Sequence, residues 1–74
     1  MENRKINSWY FKYDEENNMF ECRGEVMYDD DHDQMPEPEL WSAAMKLEAE
    51  LLSEGHNAEA NHSEKGWVEV TINN

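Results

Sequence analysis

The stretch DDDHDQMPEPELWSAAMKLEAELL, from Asp29 to Leu52, decides how the rest of the chain is read. It opens on the acidic run Asp29-Asp30-Asp31-His32-Asp33, turns at Pro36 and Pro38, and then becomes helical. Proline has no amide hydrogen and turns the residue before it away from the α conformation, so the helix starts at Pro38 or Glu39. A proline in the first turn suits that start, and Glu37 and Glu39 complement the positive end of the helix dipole. Leu40, Ala43, Ala44, Leu47 and Leu51 recur with the helical period and form the stripe that seeks a core. Trp41, Met45 and Leu52 lie about 100° further round. The helix is expected to stop at Ser53 or Glu54, with Gly55 as its left-handed terminator.

Working outward, residues 1–6 are polar and read as a frayed end. Trp9, Phe11 and Tyr13 alternate with Ser8, Tyr10 and Lys12, the period of a strand with one buried face. Residues 14–18 form a turn, where Asn17 and Asn18 tolerate positive φ. A second strand spans Met19 to Tyr28, with Phe20, Cys22, Gly24, Val26 and Tyr28 on the core face. Met19, Glu21, Arg23, Glu25 and Met27 take the outer face. Gly24 inside a strand signals a bulge or a close approach by the helix. Residues 29–38 read as an acidic connector and residues 55–66 as a polar loop containing His56 and His62. Val68, Val70 and Ile72 alternate with Trp67, Glu69 and Thr71 as a third strand. The order β-β-α-β predicts one α+β domain over residues 1–74. It has two layers, a three-stranded sheet with one helix on one face. A right-handed crossover would let the last strand pair parallel to its neighbour, beside the first strand.

Charge sets this chain apart. Eighteen acids against six bases leave a net charge of −12 on 74 residues, where a magnitude of about 2–8 is usual for a small soluble domain. Eight aromatic residues argue for a core and against a disordered chain. Direct nucleic-acid binding needs clustered Lys and Arg, and the only adjacent basic residues are Arg4 and Lys5. Cys22 is the single cysteine, so no intrachain disulfide is expected and a reducing, cytoplasmic setting fits best. The first residues carry no apolar signal segment, and no stretch is long and apolar enough to span a membrane.

The acidic run invites a calcium reading. An EF-hand loop started at Asp29 puts Asp31 and Asp33 at its third and fifth positions, but Gln34 replaces the turn glycine and Leu40 the bidentate glutamate. The run reads instead as a solvated loop, with weak divalent-cation binding as a third functional reading. His32, His56 and His62 match no zinc spacing, and Cys22 is the only thiol available to join them. Cys22 lies mid-strand on the apolar face, the setting of a small hydrophobe rather than a nucleophile. With no phosphate loop, nucleophile elbow or dinucleotide fingerprint, no enzyme and no cofactor is expected.

The acids carry the functional signal. Asp14 to Glu39 holds eleven acids and one base, Arg23, a net of ten negative charges in 26 residues. On a strand, alternate residues on one face lie about 7 Å apart, a spacing comparable to that of phosphates along a DNA strand. The expected partner is therefore the basic groove of a nucleic-acid-handling protein. It would be bound by Glu21, Glu25, Asp29, Asp30, Asp31, Asp33 and Glu37, with Trp41 adding apolar contact. Tyr10, Met19, Met27 and Trp67 supply an outer apolar group, which also suits a homodimerisation or interaction module whose acidity serves solubility. In size, charge and order of segments the whole chain resembles small phage-encoded inhibitors of the anti-CRISPR, anti-restriction and host-polymerase kinds. That resemblance is one of character without a shared motif; it implies a stoichiometric inhibitor, in the limit a DNA mimic, and assigns no residue.

Overall fold

Helix α1 of the computed structural model runs Pro38–Ser53 and buries Leu40, Ala43, Ala44, Leu47 and Leu51, the stripe set by the sequence period. The structure describes residues 1–28, 30–31, 34–62 and 66–73. Pro38 stands in the first turn, where its missing amide hydrogen removes no helical bond. The helix ends on Gly55 at φ 93°. The Gly55 amide donates to the Leu52 carbonyl at 3.1 Å and the His56 amide to the Leu51 carbonyl at 3.0 Å. These two bonds are the Schellman pair that satisfies otherwise orphaned carbonyls.

The sheet under this helix has five strands, not three. In chain order they are β1 (Arg4–Ile6), β2 (Trp9–Asp14), β3 (Met19–Arg23), β6 (Asn57–His62) and β7 (Trp67–Asn73). Their spatial order is β1-β2-β3-β7-β6, and every neighbouring pair is antiparallel. A separate two-stranded sheet pairs β4 (Val26–Tyr28) with β5 (Gln34–Pro36). The α+β class and the single helix match expectation; the strand count and the parallel last strand do not.

Each difference has a local cause. Residues 1–6 contain β1 because Asn7, at φ 57°, turns the chain in two residues and sets Ile6 opposite Trp9. Ile6 then enters the core. The 55–66 segment holds β6, whose inward side chains include Ala58 and Ala60; residues this small give almost no hydrophobic signal. Adding β6 reverses the chain once more after the helix, so β7 arrives antiparallel and pairs with β3, with Phe20 opposite Val70 and Cys22 opposite Val68. The long second strand divides at Gly24-Glu25. The Gly24 amide turns to the Gly66 carbonyl at 3.1 Å, and β4 leaves to pair with β5 inside what reads as a connector.

The core collects Phe11, Phe20, Val68, Val70 and Ile72 from the sheet against the helix stripe, with Trp9, Tyr13 and Trp41 packed at its margins. Four strand spacings of about 4.8 Å separate the outer strands of a flat five-stranded sheet by about 19 Å, more than the ~10–12 Å width of a helix. Yet α1 touches β1 and β6, the two edges. The 16-residue helix, about 24 Å long, is long enough to reach both edges. Arg4 of β1 donates two bonds of 2.6 Å to the Glu54 carboxylate. On the other side Glu48 accepts the Ala60 amide of β6 at 2.7 Å. Capping an edge amide with a helix carboxylate also blunts that edge against pairing with another chain.

A Cβ on Gly24 would stand 2.6 Å from Leu40 Cδ2, and Leu40 is fully buried. The close approach expected of this glycine is thus real. Gly24→Ala should lower unfolding stability by about 1–3 kcal/mol, the usual result of overpacking, in a urea titration. An unchanged midpoint would show that Leu40 repacks freely.

Candidate functional site

The helix covers one face of the sheet and leaves the other open. Two cross-strand rows set the chemistry of that open face. One runs Asp14, Met19, Thr71, Glu59 and the other Lys12, Glu21, Glu69, Asn61, across β2, β3, β7 and β6. Glu21 and Glu69 are directly opposite; residues so placed have Cβ atoms about 4.5–5.5 Å apart, and like charges there are unfavourable. Glu59 is diagonal to Glu69 on the next strand.

Basic residues relieve Glu21, which faces Lys12 of β2 and is bound by Arg23. Arg4 lies on the helix side, where it binds Glu54, approaches Glu50 at 3.9 Å and stands 5.8 Å from the Phe20 ring centroid. Arg23 bonds Glu21 at 3.1 Å and covers Trp67 at 3.8 Å from its ring centroid. Trp67 is therefore half covered from within the chain, and the outer apolar group does not form one patch. Tyr10 is 66% exposed on this face, while Met27 belongs to the separate hairpin. Among the described residues, Glu59 and Glu69 make no ion pair.

The residues expected to bind a partner are dispersed. Glu21 is on the open face and Glu25 is exposed at the junction between β3 and β4. Asp30 and Asp31 are exposed in the turn between β4 and β5. Asp29 and Asp33, with His32, lie outside the described residues. Glu37 is half-buried and its carboxylate accepts the Glu25 amide at 3.3 Å, so it braces the chain where β3 gives way to β4. Trp41 is half-buried, edge-on to His62 with ring centroids 5.3 Å apart. The division at Gly24 is what breaks up the continuous acidic strand read from the sequence. Glu59 and Glu69 take its place on the sheet. Glu69 has the right alternation in the sequence, but its position opposite Glu21 depends on the β3–β7 register. Glu59 sits in a segment too polar to read as a strand.

Around Asp14 the turn is built by hydrogen bonds. Asn17 Nδ2 donates to its carboxylate at 2.7 Å and the Glu16 amide at 3.0 Å. The Asn17 side chain, helped by the backbone amides, holds the Asp14 carboxyl below the ordinary range. Asn18, at φ 51°, accepts from the Tyr13 hydroxyl at 2.6 Å and donates to the Ile72 carbonyl at 3.1 Å, which locks this turn to β7. The Arg4 hydrogen bonds likewise lower the Glu54 carboxyl. Burial pushes the Cys22 thiol up, away from its reactive thiolate form.

Beside α1 is a concave region of different character. Met35, Pro36, Pro38, Trp41, Ser42 and His62 enclose a cleft of about 270 Å³. Among the described residues no three His, Cys, Asp or Glu side chains converge as a metal site, and no helix is long and apolar enough to cross a membrane. No protein-family model, curated protein or solved structure matches the chain.

Two outcomes follow. Glu69→Gln should raise stability by about 0.2–1 kcal/mol by removing the opposed pair, measured by urea unfolding at low salt; a loss would mean that Glu69 has a stabilising partner. Glu54→Gln should destabilise at neutral pH. The folded Glu54 carboxyl is lowered, so its contribution is full above the ordinary glutamate value of about 4.3. It disappears as pH falls through the lower folded value. Wild type and variant should then converge in thermal melts at acid pH; a gap that persists there would remove the ionic account of this contact.

Proposed function

We propose that the chain is a non-catalytic binding protein that occupies the cationic, nucleic-acid-binding surface of a partner protein and blocks it. The observation that carries this reading is the open face of the sheet. Among the described residues Glu69 and Glu59 make no ion pair, while Glu21 beside them is bound by Arg23 and faces Lys12, and Arg4 is held on the helix side. Opposed like charges work against folding, and a cationic partner reverses their sign of contribution. A surface of this kind also speeds encounter with a basic groove. The overall likeness to phage-encoded inhibitors favours a nuclease, a polymerase or a CRISPR component as partner, met in the cytoplasm.

The same face argues against self-association. A two-fold contact through it would bring together two copies of one acidic patch, at a net charge of −12 per chain. Tyr10, 66% exposed, suits a contact with a cationic partner better, since arginine side chains stack on such rings.

The test is affinity capture from bacterial lysate at low salt and at about 0.5 M salt, where the screening length falls to roughly 4 Å. A basic nucleic-acid-binding protein should be held at low salt and shed at high salt. Glu69→Gln, which should stabilise the isolated chain, should weaken that capture. Retention that is indifferent to salt and to Glu69 would refute the reading.

A further inference from the structure

We infer that the cleft beside Trp41 is the anchoring point for a basic peptide segment of the partner, one that inserts a single bulky apolar side chain. This rests on the reading above and adds to it a second contact site, on the helix side of the molecule. At about 270 Å³ the cleft is smaller than the ~300–1,000 Å³ usual for small-molecule and cofactor sites, so it fits one side chain. Its walls are rigid where rigidity helps. Pro36 and Pro38 fix the backbone on one side, and the edge-on His62 ring orients the Trp41 indole on the other. Met35, 40% exposed, supplies an adaptable rim. A half-buried tryptophan in a preformed pocket is the kind of residue on which binding energy concentrates.

The charges around the cleft select the occupant. Pro38 is flanked in sequence by Glu37 and Glu39, and the hairpin that contributes Met35 and Pro36 turns through the exposed Asp30 and Asp31. Among the described residues, no lysine or arginine lines the cleft. Pro38 and Ser42 form a ridge, and on its far side a second cleft of about 380 Å³ is lined by Asn7, Ser8, Trp9 and Glu39. An indole beside a carboxylate is the chemistry of a lysine or arginine subsite. The pair of clefts thus calls for a bulky apolar residue with a cationic residue close to it in the peptide. A second copy of this chain, at a net charge of −12, is disfavoured by the same charges.

The test is selection from a random dodecapeptide library displayed on phage, followed by anisotropy measurements with the enriched peptides. Enriched sequences should combine one large apolar residue with nearby Lys or Arg. Met35→Ala and Trp41→Ala should each weaken binding at least about fivefold, roughly 1 kcal/mol, and Glu39→Gln should flatten its salt dependence. Met35 is partly exposed, so its variant serves even if Trp41→Ala fails to fold. Basic peptides that bind equally well without an apolar residue and ignore Met35 would overturn the anchor while leaving the acidic face intact. Enrichment of acidic or uncharged peptides, or none, would also overturn it; the acidic face is judged separately by the effect of Glu69→Gln on capture.

Discussion

The fold depends on the packing of helix α1 against the sheet. Ala43 and Ala44 occupy the middle of its buried stripe and are fully covered. Methyl side chains at that level let the helix backbone approach the strands, while Phe11 and Phe20 fill the core beside them. The helix reaches both edges, binding Arg4 of β1 through Glu54 and the Ala60 amide of β6 through Glu48. Gly24 belongs to the same constraint, because Leu40 occupies the space its side chain would need. For so small a core, where about 60% of the unfolded chain's surface is buried, this joint closure of both edges matters more than any single contact.

Seating the helix on one face leaves the other to solvent, and that asymmetry shapes the electrostatics. The chain places Arg4 on the covered side and uses Arg23 to shield Trp67, so positive charge is drawn inward or held locally. Negative charge remains outside, at the β2–β3 turn, on β6 and β7, and at the β4–β5 turn. Solubility alone would be met by a smaller net charge and gives no reason to oppose Glu21 with Glu69. The proposed role gives that opposition a purpose. In the inferred role the Trp41 cleft would add what a charged face lacks, an apolar contact.

Those parts of the fold that rest on strong local periodicity were legible in the sequence. The buried faces of α1, β2 and β7 follow from leucine, valine and aromatic spacing, and Gly55 and Asn18 marked their turns through the φ values they tolerate. β6 was not legible, since Asn57, Ala58, Glu59, Ala60, Asn61 and His62 offer neither apolar weight nor strand propensity. Its strand state is imposed by the helix above and β7 beside it. The same omission hid the correct sheet order. For the site, Asp30 and Asp31 were recognisable as exposed acids, whereas the structural use of Glu37 and the grouping of Glu59 with Glu69 follow from contacts distant in sequence.

The most direct measurement is an amide chemical-shift map of the isotopically labelled chain, titrated with the basic protein captured at low salt. The account predicts perturbations centred on Glu21, Glu59 and Glu69, running across β3, β7 and β6, that fade as salt is raised. Perturbations that spare those three strands, or that persist unchanged at high salt, would contradict it.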